Sequence, residues 1–257
     1  MQDSEKARLC AEKWLRQAGQ LLLSMQQGDL SIEAKEDATP VTAIDRAVER
    51  LLRSLIMAEF PDHGIRGEEF PPYRPEAPCQ WVIDPVDGTR ALMGGVPVFT
   101  TLLALVEHGK PVLGAIYQPI TRDLWLGVAG QGTTLNRQPV QARACISLGQ
   151  AMFSSSSSLL FEPEEKPKME QIYQSVRDCQ FGADAYAYGR IASGHIDLVV
   201  ESGLKPHDFM ALLPVLQGAG ATVTDWQGRP ITMESNGKIC AAGDVRVHEE
   251  ALEILAG

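Results

Sequence analysis

Trp81-Val82-Ile83-Asp84-Pro85-Val86-Asp87-Gly88-Thr89-Arg90 is the stretch around which the rest of the chain is organised. Trp81 to Ile83 form an apolar strand. Pro85 lacks an N–H and fixes φ, so the backbone is expected to leave the ladder and turn there. Asp84 and Asp87 flank that turn, close enough to aim two carboxylates at one point. Gly88 lets the backbone approach a ligand closely, and Thr89 can open a helix whose free N–H groups favour an anion. Carboxylates for a hard cation thus stand beside amides for a phosphate, a pairing that metal-assisted phosphoryl chemistry needs. An Asx–Pro turn that simply caps a helix would use the same residues.

Bulk properties narrow the field. A chain of 257 residues can form one large or two modest domains. No apolar run approaches a membrane span, and Met1-Gln2-Asp3-Ser4-Glu5-Lys6 leads into charged helix rather than a signal peptide. The five cysteines (Cys10, Cys79, Cys145, Cys179, Cys240) are scattered with no CxxC pair, which points to reduced thiols in the cytoplasm and away from a zinc site. A formal net charge of −10 argues against nucleic acid as a partner.

Asp84-Pro85-Val86-Asp87-Gly88-Thr89 resembles the signature of the inositol monophosphatase superfamily, the Mg²⁺-dependent, lithium-sensitive phosphatases. Gly67-Glu68-Glu69 upstream, Asp208 with the apolar run through Gly218-Ala219-Gly220 downstream, and Lys35…Thr39-Pro40-Val41-Thr42…Asp45 match in order. The resemblance runs from near residue 35 to near residue 230 and implies a five-layer αβαβα sandwich. Alternating strands and helices independently indicate α/β layers. A boundary between halves is expected near residues 140 to 150, giving an N-terminal half over 1–145 that carries the metal motifs. The C-terminal half, 146–257, would supply Asp208 and the acids facing the substrate, within one compact catalytic unit.

The remaining elements follow from periodicity. Residues 4 to 26 read as an amphipathic helix ended by Gln27-Gly28-Asp29. A second helix is expected from about Thr42 to Phe60, with Ile44, Val48, Leu51, Leu52 and Leu55 inward. Its Asp45 sits in the first turn, where the helix dipole alone would favour a carboxylate. Strands are expected over Phe99–Val106, Pro111–Tyr117, Asp123–Ala129 and Gly132–Val140. The serine run Ser154–Ser158 could be a linker by composition, but its apolar flanks favour a strand end and loop. Further expectations are a helix over Met169–Val176, a helix opening at Gly182–Gly189, a strand over Ile196–Glu201 and a helix from Phe209 to Gly218 bent by Pro214. Ala221–Asp225 and Ile239–Ala242 read as strands, and Val247–Leu255 as a closing helix.

Like charges about 4 Å apart repel by roughly 4 kcal/mol at an effective dielectric near 20. Glu68, Asp84, Asp87 and Asp208 could therefore converge only around cations, and an all-oxygen donor set selects Mg²⁺ or Mn²⁺ over zinc. By the resemblance, one ion is held by Glu68, Asp84 and the Val86 carbonyl, and a second by Asp84, Asp87 and Asp208, with Asp45 nearby as a supporting charge or a ligand for a weakly held third ion. Water oriented by Thr89 and Glu68 would then attack phosphorus, as in two-metal in-line displacement. The amides of Gly88 and Thr89 would hold the phosphate. Glu68 takes the inward role among the two adjacent acids, which leaves Glu69 beside the site or facing solvent. His207 stands where the family usually has an aromatic residue and is expected to pack rather than ligate. Arg90 either pairs with an acid on the helix surface or lines the substrate entrance.

Asp184 and Glu201 stand at the positions that the family directs at the leaving group. Two carboxylates there suit a cationic alcohol; the other possibility is that Asp184 caps its own helix. Asp84–Ala91, Asp184–Gly189 and Gly203–Ala211 are similar to the histidinol-phosphate phosphatase branch. The expectation is a Mg²⁺-dependent phosphomonoesterase acting on L-histidinol phosphate in histidine biosynthesis, cytoplasmic and homodimeric as its relatives would imply. An inositol-1-phosphate or sugar phosphatase is the alternative, and a non-catalytic metal-binding regulator is the reading from another class.

Overall fold

The computed structural model of the chain describes residues 2–26, 32–34 and 40–257. The expected helix stop at Gln27-Gly28-Asp29 and the motif residues Lys35 and Thr39 lie outside them. In chain order the elements are α1 (Gln2–Gln26), β1 (Ile32–Ala34), β2 (Pro40–Thr42), α2 (Ala43–Glu59), β3 (Gly64–Gly67), β4 (Cys79–Asp87) and α3 (Thr89–Met93). Then come β5 (Thr100–Glu107), β6 (Lys110–Gln118), β7 (Asp123–Val128), β8 (Gly132–Leu135), β9 (Gln138–Val140) and β10 (Met152–Ser155). The chain closes with α4 (Lys166–Ser175), β11 (Asp178–Phe181), α5 (Asp184–Ala192), β12 (Leu198–Glu201), α6 (Pro206–Phe209), α7 (Leu212–Gly218), β13 (Thr222–Thr224), β14 (Ile239–Ala242) and α8 (Val245–Ala256).

Two sheets organise the molecule. The larger runs β3-β4-β5-β6-β7-β8-β9, parallel only between β3 and β4. The smaller runs β11-β10-β12-β14-β13. Three apolar cores hold the five layers together. Trp14, Leu15, Leu22, Val48 and Leu52 from α1 and α2 pack on Trp81, Ile83, Leu103 and Leu105 of the large sheet. Tyr188, Ile191, Leu212, Leu213 and Leu216 from α5 and α7 fill the space between the sheets. Met169 and Ile172 of α4, with Val247, Ala251 and Leu255 of α8, cover the outer face of the small sheet. Alternate residues of β4 and β5 therefore face different cores, with Val82 and Leu102 inward and Ile83 and Leu103 outward. This is the expected αβαβα sandwich. Among the described residues, no helix is long and apolar enough to cross a membrane.

The structure corrects several local expectations. β4 does not end at Pro85 but continues to Asp87. Asp84 pairs with Leu102 and Asp87 with Thr100, so β4 spends three steps where β5 spends two. That extra residue is a β-bulge, which accommodates a proline without a ladder donor, and the Pro85 carbonyl accepts the Thr101 hydroxyl at 2.9 Å. The helix expected from Phe209 to Gly218 is two helices, α6 and α7. Pro214 lies in the first turn of α7, where its missing N–H would have had no partner inside the helix. Strand β11 was not anticipated. In α2 the buried set includes Ile56 and two acids, Asp45 and Glu49, whereas Leu51 and Leu55 are only half-buried.

Candidate active site

The bulge determines the site. By inserting one residue between Asp84 and Asp87, it breaks the strand's two-sided alternation and turns both carboxylates the same way. Asp84, Asp87 and Asp208 each offer a carboxylate oxygen within 4.8 Å of the others, a grouping that could hold a metal ion. Asp208 reaches them from α6, where its Oδ2 accepts the Lys205 backbone N–H at 2.6 Å and so fixes its rotamer. Asp84 is 2% exposed, and its Oδ1 has no hydrogen-bond partner. A buried carboxylate oxygen left that way is costly unless something positive meets it. The all-oxygen donor set fits a hard divalent cation.

Electrostatics point the same way. Burial pushes the Asp84 carboxyl well above the usual range, and the neighbouring Asp87, Glu68, Asp208 and Asp45 push it further. Asp87 is raised well above its ordinary value by burial and by Asp184, while the Ala185 N–H opposes the shift. Asp208 is raised chiefly by burial, against the pull of His207. A cation among them would reverse these shifts, because each carboxylate would then gain by ionising.

The other expected residues surround this nest. A cavity of about 270 Å³ is lined by Glu68, Asp87, Gly88, Thr89, Arg90 and Asp208 together with Ser156, Leu160, Asp184, Glu201, Leu204 and Lys205. Thr89, the first residue of α3, donates its hydroxyl to the Val86 carbonyl at 3.0 Å and lies 3.5 Å from Asp45 Oδ1. Val86 itself is buried, with its side chain in the outer core and its carbonyl turned toward Thr89. Gly88 has φ 82°, and a Cβ there would lie 2.8 Å from Asp184 Oδ2 and 3.3 Å from the Phe99 Cα. Only glycine admits both that backbone angle and that approach.

Asp184 is the first residue of α5, not its cap, and holds φ at 43°, a left-handed conformation uncommon for a residue with a side chain. Ser156 interacts with Asp184 and also donates both its N–H, at 2.8 Å, and its hydroxyl to Glu201 Oε1. Tyr188 donates to Glu201 Oε2 at 3.2 Å. Burial raises Asp184, opposed by Ser156 and the Arg90 charge. Burial also lifts Glu201 to about 7. Arg90 thus faces the cavity from its exposed position.

Some lining residues escaped sequence reasoning, and the structure places others more closely. Ser156 belongs to the serine run, and only the apolar flanks on either side signalled that the run is ordered. Leu204 and Lys205 lie within the Gly203–Ala211 stretch but carry no assigned role there, and Leu160 carries no motif. Glu69 does not face solvent: its side chain is 2% exposed and pairs with Arg46 at 3.6 Å. His207 Nε2 lies 3.4 Å from Asp208 Oδ1, beside the carboxylate nest.

The model of the inositol monophosphatase family matches residues 3–256. The chain is 40% identical over 247 residues to the chloroplastic bifunctional phosphatase IMPL2 of Arabidopsis thaliana, covering 93% of this chain and 71% of that protein. It is 34% identical to a histidinol-phosphatase of Chlorobaculum parvum, over 87% of each chain. A solved inositol monophosphatase from Zymomonas mobilis superposes with a TM-score of 0.90 at 41% identity, covering 98% of both chains.

Proposed function

We propose, given that this chain belongs to the inositol monophosphatase family and is a phosphoric monoester hydrolase, that its substrate is L-histidinol phosphate. The observation that carries this reading is the acidic pair Asp184 and Glu201, which lines the same cavity as the carboxylate nest and is bridged by Ser156. Histidinol presents an ammonium and an imidazole, and a buried carboxylate gains most from a charged donor. The likeness to the Chlorobaculum parvum histidinol-phosphatase supports the same choice.

Asp84, Asp87 and Asp208, with Glu68 and the Val86 carbonyl, would hold two divalent cations, Mg²⁺ by preference and Mn²⁺ in its place, with Asp45 available to a third. Bound there, they would supply Lewis acidity at the phosphoryl group. The N–H groups of Gly88 and Thr89 receive the phosphate oxygens. Thr89 Oγ1 and Glu68 orient the attacking water and take up its proton at the Glu68 carboxylate. Asp184 and Glu201 hold the alcohol by its ammonium, with Arg90 at the entrance. A reduced cytoplasmic setting fits five cysteines that are all free thiols, and a homodimer is the proposed assembly, testable by light scattering.

Inositol-1-phosphate or a sugar phosphate is the second reading. The Zymomonas mobilis likeness favours it, since polyol hydroxyls can also donate to Asp184 and Glu201. A panel of histidinol, inositol, fructose and glycerol phosphates, assayed with Mg²⁺, decides between them. Histidinol phosphate should show the highest kcat/KM; a lead for inositol phosphate would replace the first reading with the second.

A further inference from the structure

We propose that one face of α2, centred on Glu49, is a clamp that sets the position of Glu68 for cation binding. Glu49 lies one turn after Asp45 and is fully buried. Its Oε2 accepts the backbone N–H of Glu69 at 2.7 Å, and its Oε1 accepts Arg53 Nη1 at 2.9 Å. Arg53 Nη2 then donates to the Pro71 carbonyl at 2.7 Å. Arg46 pairs with the Glu69 carboxylate, and the guanidiniums of Arg50 and Arg53 lie 5.5 and 5.9 Å from the Phe70 ring centroid.

Positions 46, 49, 50 and 53 have the spacing of one helical face. All four grip residues 69 to 71, the segment that leaves Glu68. The grip also explains Gly67: a Cβ at that position would overlap the Glu49 carboxylate. Glu68 is therefore bracketed by a glycine pressed against Glu49 and an amide bonded to it, with its own side chain left to line the cavity. An apolar residue at 49 could fill the volume, yet it would leave the Glu69 N–H and the Arg53 guanidinium without their acceptor.

The helix also links two acids of the site. Asp45, near Thr89, and the anchor of the Glu68 segment ride on one rigid element, so their spacing is held by α2 rather than by the loop. Glu49 touches neither substrate nor cation in this arrangement; it is a positioning residue. Groups that orient metal ligands from behind typically govern affinity by about tenfold or more.

The inference rests on the cation-binding reading of the carboxylate nest, and Mn²⁺ binding to the intact protein, followed by the electron paramagnetic resonance of free Mn²⁺, separates the two. Wild type that binds no Mn²⁺ overturns that reading; the variants address the clamp. In Glu49→Gln the amide keeps the shape, but both carboxylate oxygens face donors, so its –NH₂ must oppose one of them. Arg53→Met removes the Pro71 contact while keeping the volume. Glu49→Gln should weaken Mn²⁺ binding about tenfold, raise the half-saturating Mg²⁺ in parallel, and leave KM for the ester at saturating Mg²⁺ within about twofold. Arg53→Met should weaken binding in the same direction. Leu52→Ala, on the buried face of α2, lowers thermal stability without touching residues 69–71 and should leave Mn²⁺ affinity unchanged. Unaltered Mn²⁺ affinity in Glu49→Gln and Arg53→Met, or an equal loss in Leu52→Ala, would reduce the clamp to ordinary scaffolding and overturn the proposal.

Discussion

Asp87 Oδ2 accepts the backbone N–H of Ala185 at 2.7 Å, across 98 residues of sequence. A carboxylate on the bulge of the large sheet is thereby tied to the first turn of α5, which carries Asp184. In Asp87→Asn the amide oxygen can still accept this N–H, so the fold should persist. The variant loses an anionic oxygen from the site, and loss of one preorganised electrostatic stabiliser lowers kcat by about 10²–10³-fold. Because one of several mutually repelling buried charges is gone, Tm in chelator should hold or rise. Near-normal turnover would remove Asp87 from the chemistry.

Cation removal should act on stability as well as on activity. Activity should vanish in chelator and return with Mg²⁺. A ligand at about 100 times its Kd stabilises by about 2.7 kcal/mol, which for a chain of this size corresponds to a Tm rise of roughly 5–10 °C. Full activity after exhaustive chelation would contradict the site as described. Lithium inhibition is a further expectation of family membership.

Apoprotein stability should fall as pH rises. Burial lifts Glu201 from 4.5 to about 7, so between those values the folded chain keeps a proton that the unfolded chain has released. Stability is then highest toward the lower end of that window and declines up to about pH 7, with a share for Glu201 on the order of 3 kcal/mol. Asp84, Asp87 and Asp208 shift in the same direction. Melting in chelator from about pH 5 to 8 should show a falling Tm. Glu201→Gln should remove part of that fall, and Mg²⁺ should blunt it by favouring the ionised carboxylates. A Tm that climbs over the same range in chelator would refute the assignment.

Specificity should separate from chemistry. Asp184→Asn and Glu201→Gln should each lower kcat/KM for histidinol phosphate about tenfold, the worth of a charge-assisted hydrogen bond. Glycerol phosphate, which has no cation to hold, should be spared. Equal losses on both esters would trace the effect to the carboxylate nest instead.

Asp244 provides a control remote from the cavity. It caps α8 by accepting the Arg246 N–H at 3.0 Å and also accepts the Cys145 N–H at 3.0 Å. Asp244→Ala should destabilise by about 1–2 kcal/mol with kcat unchanged. A fall in kcat would mean that the cap is coupled to the site.

The parts legible in the sequence were those with local chemical meaning. Asp84, Asp87, Gly88 and Thr89 announced their turn, the alternation of strands and helices indicated α/β layers, and the five-layer order came from the family resemblance alone. Pro85 misled because a proline inside a ladder is tolerated only at a bulge, and register is a property of two strands. By its position alone Asp45 looked like the first-turn charge of a helix, and nothing in the sequence singled out Glu49. Their burial depends on Thr89 and on the Gly67–Pro71 segment, which tertiary folding alone delivers. Ser156 was hidden in a run of five identical residues, distinguished from its neighbours only by Glu201 waiting 45 positions away.

The bulge after Asp84 has one more consequence, for how the molecule can diversify. It fixes the phosphate-facing residues on the large sheet, whereas Asp184 and Glu201 ride on α5 and β12 of the other half. On the proposed roles, and apart from Asp208 and Arg90, the residues for hydrolysis and those for the departing alcohol would occupy separate stretches of chain. Exchanging side chains between 156 and 204 would then be a route to new alcohols, provided the Ala185 N–H still meets Asp87. Gly88 sets the limit on that freedom, since whatever replaces Asp184 must still fit against its bare Cα.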